Sequence, residues 1–290
     1  MCAAVLVVGS ANADLVVPVD RRPAGGETVL GGDTVLSPGG KGANTAVAAG
    51  RLGADVALLG AVGSDPYGAL LRDSLTGAGV STAFLLVVDR PTGIAYITVT
   101  PDGENSILVS PGANSALMPS DITSEALAGA AVVVLSLEVP LPTVEHAVAR
   151  ASAAGATVLL NLSPAARLSA STLAAVDVLL VNEHEAAYLL GSPGADPRKL
   201  LELGPRAAVV TLGSRGAVVV TSSGLTAVSS PAVAAVDTTG AGDAFAGALA
   251  ASLASGVSLV DAAHRAAAVA AVSVTRHGAQ PSYPTAAEMA

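Results

Sequence analysis

Short apolar runs of strand length alternate with Ala-rich helical runs along most of this chain, and that rhythm constrains the fold more than any single motif. Ala4 to Gly9 is a continuous apolar run, and Gly42 to Leu52 reads as a helix ended by Gly53. Asp55 to Gly60 is again strand-like and Tyr67 to Ala78 helical. The pattern resumes with a strand at Val132 to Leu135, a helix at Pro142 to Ala154 and a strand at Thr157 to Asn161. Strands at Val178 to Val181, Ala207 to Thr211 and Ala217 to Val220 follow, with a helix at Glu183 to Leu190. Two long helices close the pattern, Asp243 to Ala254 and Leu259 to Thr275. Strands apolar on both faces must be covered on both, so the expectation is an α/β fold: a doubly wound, mostly parallel sheet flanked by helices.

Two segments break the rhythm. Residues 14–37 hold Val-rich pieces separated by Pro23, Gly25-Gly26 and Gly31-Gly32. Residues 92–110 hold two strand-like pieces around Pro101-Asp102-Gly103-Glu104, a hairpin signal. Both read as an antiparallel flap inserted into one α/β catalytic domain spanning residues 1–290, placed to close over a substrate; an ordinary extension of the sheet fits equally well.

With 51% hydrophobic residues, 2% aromatic and no Trp, the core must be built from Ala, Val and Leu. The net charge of −9 repels nucleic acid and anionic membrane, so neither is an expected partner. The single cysteine, Cys2, excludes an internal disulfide framework and suits a reducing cytoplasm. No basic segment precedes the first apolar run, and no run approaches the ~18–20 residues of a membrane span. The four histidines show no metal-ligand spacing, and no dinucleotide fingerprint follows the first strand.

Candidate ligand-binding residues cluster where strands end. Asn12 and Asp14 follow the first strand, where open α/β sheets bind ligands, and can hydrogen-bond vicinal hydroxyls; both residues are also common turn formers. Pro38-Gly-Gly-Lys-Gly-Ala-Asn44 is not a Walker A loop, because Gly42 follows Lys41 and position 35 is Val; it is a tight turn into a helix carrying Lys41 and Asn44. Glu138 follows another strand. In Asn182-Glu-His-Glu185 the carboxylates can arrange Mg²⁺ through its waters, or Asn182 and Glu185 can form a capping box. The turn Thr211-Leu-Gly-Ser-Arg-Gly216 suits a nucleotide phosphate or a plain hairpin. Val236-Asp-Thr-Thr-Gly-Ala-Gly-Asp-Ala-Phe245 is the most informative stretch. It sets Asp243 beside a Gly-Ala-Gly turn at a helix start, an acid next to an anion hole, which is the kit for moving a phosphoryl group onto a hydroxyl.

Taken in order, these motifs resemble the ribokinase-like carbohydrate kinases. The matching pieces run from Gly9-Ser-Ala-Asn-Ala-Asp14 and Gly39-Gly-Lys-Gly-Ala-Asn44 through Asp237-Thr-Thr-Gly-Ala-Gly-Asp243 to Val274-Thr-Arg-His-Gly-Ala-Gln280. The resemblance covers about Val7 to Pro284. It implies a small β lid that also forms a homodimer contact, and ATP-dependent phosphorylation of the 5-hydroxyl of D-ribose. By position, Asn12, Asp14, Gly40, Lys41, Asn44 and Glu138 would hold the sugar. Asp243 would be the base, and the amides of Gly240, Ala241 and Gly242 the anion hole. Asn182, Thr211, Leu212, Gly213, Ser214, Arg215 and Gly216 would contact ATP, with Glu185 organising Mg²⁺. Asp237, Thr239, Ser273, Arg276, Gly278 and Ser282 would hold an activating K⁺. The family's polar residue near adenine is replaced here by Ala267. Rival readings are the same chemistry on fructose, 2-keto-3-deoxygluconate or a nucleoside, and a non-catalytic sugar-binding protein; the scarcity of aromatic residues disfavours the nucleoside.

Overall fold

Residues 4–290 are described by the structure, a computed structural model; Cys2 lies outside them. In chain order the strands are Val5–Val8 (β1), Asn12–Pro18 (β2), Val35–Gly39 (β3), Val56–Gly63 (β4), Val80–Ser81 (β5), Leu85–Val88 (β6) and Gly93–Val99 (β7). Asn105–Ser110 (β8), Val132–Leu135 (β9), Thr157–Asn161 (β10), Val178–Asn182 (β11), Ala207–Thr211 (β12), Ala217–Thr221 (β13) and Gly224–Val228 (β14) follow. The helices are Lys41–Arg51 (α1), Pro66–Gly77 (α2), Ser124–Leu127 (α3), Leu141–Ala153 (α4), Ala170–Ala174 (α5), Glu183–Leu190 (α6), Ala241–Ala254 (α7) and Leu259–Ser273 (α8).

The body is a ten-stranded sheet in the order β14-β13-β12-β11-β10-β9-β1-β4-β5, with β6 also paired to β4. Pairing is parallel from β4 through β12, with Val5 opposite both Val56 and Val132. Side chains of β1 alternate between two cores. Val5 and Val7 pack with α1, α7 and α8, whereas Leu6 and Val8 pack with α4 and its neighbours. This double coverage is the fold class the apolar strands predict. The sheet departs from it at one edge, where β12–β13 and β13–β14 are antiparallel. Only residues 212–216 link β12 to β13, too short a connection for a parallel crossover. Strand β14 escapes sequence reading because its burial pattern is mostly exposed.

Small side chains set the helix packing. A Cβ on Gly247 would meet the Thr45 carbonyl oxygen at 2.5 Å. The glycine therefore allows α7 to lie directly on α1, which brings Asn44 and Asp243 together.

The second sheet has four strands in the order β3-β2-β7-β8. It is not the antiparallel flap the sequence predicts. The hairpins β2–β3 and β7–β8 are antiparallel, but their junction β2–β7 is parallel, with Asn12 opposite Gly93. Strand β2 follows β1 and β7 follows β6, and β1 and β6 both run parallel to β4, so β2 and β7 set out from the same end of the body. The outer strand β8 is exposed along its whole length, and Val35, Leu36, Tyr96, Ile107 and Leu108 present an apolar surface.

Candidate active site

Strand β1 has β4 on one side and β9 on the other, so the connections leaving it and β9 diverge and open a crevice at their carboxyl ends. Ser10 and Asn12 enter the crevice from β1, and Glu138 enters from β9. Glu138 Oε2 accepts from Ser10 Oγ at 2.6 Å, from the Lys41 amide at 3.3 Å and from Asn12 Nδ2 at 3.4 Å. One carboxylate oxygen thus ties the β1–β2 junction and the start of α1 to the end of β9. Asn114, just beyond the second sheet, locks the other end of the cluster. Its Nδ2 donates to Asn12 Oδ1 at 2.7 Å and to the Ala11 carbonyl at 3.2 Å, and its Oδ1 accepts from the Ala11 amide at 2.9 Å. With Asn12 Oδ1 committed, its amide nitrogen faces the crevice.

Asp14, Glu138, Glu185 and Asp243 surround Lys41. Burial opposes the Lys41 charge, but the carboxylates of Asp243, Glu138, Glu185 and Asp14 outweigh it and hold the ammonium above the ordinary lysine range. Asp14 is pushed up to about 7 by burial first and then by Glu138 and Asp243, with Lys41 opposing. A carboxyl that binds its proton more tightly folded than unfolded costs stability as pH rises through the window from 3.8 to about 7. Asp14→Asn is therefore expected to melt above the parent protein at pH 8, with the difference closing near pH 4; differential scanning fluorimetry of the ligand-free proteins checks this.

Asp243 is the third residue of α7 and is 7% exposed. Burial raises its pKa, countered by Lys41 and by Asn44, whose Nδ2 donates to Oδ2 at 2.9 Å. Helix α7 begins two residues earlier than the sequence predicts, because Gly240 takes a left-handed conformation (φ 72°) and caps it. The buried Tyr283 hydroxyl donates to the Gly240 carbonyl at 3.0 Å and holds this corner from the far end of the chain. The Ala241 amide is committed to the Thr238 carbonyl at 3.2 Å. Among the described residues, the amides of Gly240, Gly242 and Asp243 have no protein acceptor, and the helix dipole reinforces them.

Two adjoining cavities meet at this corner. A polar one of about 170 Å³ is lined by Lys41, Asn161, Ser163, Asn182, Glu185 and Asp243, among others. An apolar one of about 420 Å³ is lined by Gly213, Ser214, Gly216, Phe245, Ala267 and Ala271, with other small residues. Thr211, Thr238, Ala241 and Gly242 line both. The pair has the shape of a slot with a dry end for a flat apolar group and a wet end for an anion. Gly40 lies next to Lys41 as the N-cap of α1. Asn182 and Glu185 do form a capping box, with the two amide-to-oxygen distances both 2.8 Å. Two predicted nucleotide contacts do not line either cavity: Leu212 packs against a core, and the Arg215 guanidinium pairs with Glu183.

Asp237 accepts from the Thr239 amide at 2.9 Å and the Gly278 amide at 2.8 Å. Burial works against its charge, but these bonds prevail and hold its carboxyl below the usual range. The Arg276 guanidinium turns to Glu288 at 2.7 Å, and Ser273 and Ser282 are fully buried.

Sequence reasoning missed Ser10, Ser74, Asn114, Asn161, Ser163, Thr238, Gln280 and Tyr283 as parts of this region. Ser10, Thr238 and Gln280 lie inside motifs named above. The others carry no local signal, since their partners are distant in sequence.

The chain matches the family described as pfkB family carbohydrate kinase over residues 3–286. It is 40% identical to a ribokinase of Schizosaccharomyces pombe, with 98% of this chain and 96% of that one covered. It is 38% identical to a ribokinase of Haemophilus influenzae, with 96% and 94% covered. Among solved structures it is similar to the Arabidopsis thaliana ribokinase complexed with ribose and ATP, at a TM-score of 0.91 and 32% identity, covering 100% of this chain and 98% of that one. A buried carboxylate at a glycine-capped helix start, a slot for a nucleotide and a polar crevice beside it, in a chain matched from end to end, have one common explanation: the protein belongs to the pfkB family of carbohydrate kinases, phosphotransferases with an alcohol group as acceptor.

Proposed function

We propose that the whole chain acts as one catalytic unit that transfers the γ-phosphoryl group of ATP to the 5-hydroxyl of D-ribose. The observation that carries this reading is the position of Asp243, between the polar crevice and the polar cavity, with one oxygen held by Asn44. Asn12, Asp14, Gly40, Lys41, Asn44 and Glu138 form a compact polar crevice suited to vicinal sugar hydroxyls. The apolar cavity takes the adenine, with Ala267 offering only van der Waals contact, and the phosphates extend toward Gly242. Asp243 accepts the hydroxyl proton as the sugar oxygen attacks the γ-phosphorus. The free amides of the Gly240–Gly242 corner and the Lys41 ammonium then balance charge on the transferred group. The second sheet lies over the crevice as a lid that excludes water.

The polar cavity holds two carboxylates, Glu185 and Asp243, with the side chains of Asn161, Ser163 and Asn182 beside Lys41, an oxygen-rich set that would hold Mg²⁺ through its waters. The ion supplies charge neutralisation on the phosphates. The Asp237 carboxylate is a fixed negative charge held by the Thr239 and Gly278 amides, and with carbonyls of Thr239, Ser273, Arg276 and Gly278 and the Ser282 region it would supply the oxygen set for K⁺. When bound, that ion would add positive potential near the anion corner. The apolar outer face of β8 and β3 supports a homodimer formed through the lid, and the acidic surface supports a cytoplasmic protein with neither nucleic acid nor membrane as partner. No helix among the described residues is long and apolar enough to cross a membrane.

Coupled ADP release should be measured across D-ribose, 2-deoxyribose, fructose, 2-keto-3-deoxygluconate and a nucleoside, with K⁺ and then Na⁺. D-ribose should give the highest kcat/KM, and K⁺ should raise the rate above Na⁺. A better acceptor elsewhere in the panel transfers the same chemistry to it. Turnover of none of them would support a sugar-binding protein instead.

A further inference from the structure

A line of hydrogen bonds runs inward from the surface of α2 to Asp243 through three side chains. Ser74 Oγ lies 2.6 Å from Gln280 Oε1, Gln280 Nε2 lies 3.0 Å from Asn44 Oδ1, and Asn44 Nδ2 lies 2.9 Å from Asp243 Oδ2. Gln280 is 2% exposed and Asn44 5%, so water does not substitute for either amide. Each orientation is forced from the carboxylate outward. Ionised Asp243 only accepts, so Asn44 must turn its NH₂ toward it. Asn44 Oδ1 then needs a donor, which among the described residues only the NH₂ of Gln280 provides. Gln280 Oε1 in turn needs the Ser74 proton. Four elements far apart in sequence supply the line: α2, the short turn Gln280–Ser282, α1 and α7.

We infer that Gln280 and Ser74 are positioning residues, which hold the Asn44 amide so that it presents N–H, not C=O, to Asp243. The inference rests on Asp243 being the base. No protein donor among the described residues reaches Asp243 Oδ1, so this arrangement leaves that oxygen free for the incoming hydroxyl. Freed from Gln280, the Asn44 amide can rotate and offer Oδ1 to the carboxyl. That contact is tolerable only if the carboxyl is protonated, and a protonated Asp243 is no base. The other groups facing Asp243 are Lys41 on α1, Glu138 after β9, Glu185 on α6, Asp14 on β2 and Tyr283. None of them changes in the variants below. Both burial and loss of the N–H act in the same direction, toward the neutral acid.

The test is the pH profile of kcat/KM for D-ribose with saturating ATP, in the full chain. Gln280→Leu should move the acid limb up by about one pH unit, the size of one hydrogen bond to a charged group. Its rate should be about tenfold lower on that limb and return to within about threefold of the parent well above it. Ser74→Ala, at a half-buried position on the helix surface, should shift the limb in the same direction by less, and Ser74→Thr, which keeps the hydroxyl, should restore the parent profile. If Gln280→Leu does not fold, the Ser74 pair decides alone. Folded variants with an unmoved acid limb, whether fully active or slowed equally at every pH, overturn the inference. Asp243→Asn run alongside separates the two layers: if it turns over normally, the base assignment itself fails, whereas an inactive Asp243→Asn beside unshifted relay variants sinks only the relay.

Discussion

Asp243→Ala should fold and bind both substrates yet lose at least about 10²–10⁴-fold in kcat, the usual contribution of a single general base. The loss should fall on kcat with little change in KM, because the carboxylate acts on a proton that moves only during attack. Stability should move the other way. Burial raises the Asp243 pKa, so the folded protein holds this proton more tightly than the unfolded chain does. Stability from that group is present at low pH and is lost as pH rises through the folded pKa. A neutral side chain escapes the loss, and the variant should melt above the parent at pH 8. Steady-state ADP release and thermal melts on the same preparations decide both points. A variant as active as its parent refutes the base assignment, and one that melts lower at pH 8 refutes the electrostatic account of its burial.

Gly240→Ala should damage stability and turnover together. The residue sits at φ 72°, where a side chain is strained, and its Cβ would lie 2.4 Å from the Tyr283 hydroxyl and 2.7 Å from the Ala279 Cβ. Relief requires the corner to open. That breaks the Tyr283 hydrogen bond and turns the free amides away from the site where phosphoryl charge develops. Loss of one such donor typically costs about 10²–10³-fold in kcat, and the strain itself about 1–3 kcal/mol of stability. Gly242→Ala is the matched control. Its Cβ would have no protein atom within 4 Å and points into the slot. It should melt like the parent and raise KM for ATP. Equal melting of the two variants would show that the Gly240 conformation is not the constraint.

Much of this was legible in the sequence because it was written locally. Continuous apolar runs such as Val5–Val8 and Val178–Val181 admit only a sheet covered on both faces, and Asp243 stands next to the glycines that shape its surroundings. The Asn182–Glu185 capping box needs residues three apart and was readable for that reason. What escaped depends on distance. Asn114 meets Asn12 and Gln280 meets Asn44 across 102 and 236 positions, and nothing near any of them in the chain announces the partner. The β2–β7 pairing was misread for a related reason. Hairpin signals report the partner next along the chain, whereas which hairpins sit together is decided by the body edge from which they emerge. Leu212 and Arg215 were assigned with the rest of a glycine-rich turn, and the turn itself separates them, one side chain into the core and the other out to Glu183.

The clasp of Asn114 on Ala11 and Asn12 stands at the root of the second sheet, where β2 and β7 leave the body together. A lever travels least at its fulcrum. If the second sheet closes as proposed, its outer strands would travel furthest, while Asn12, held at the root by Asn114 and Glu138, would move least. A sugar would then meet the inner part of its mould already formed on arrival, and closing would add only what lies further out on β2, such as Asp14.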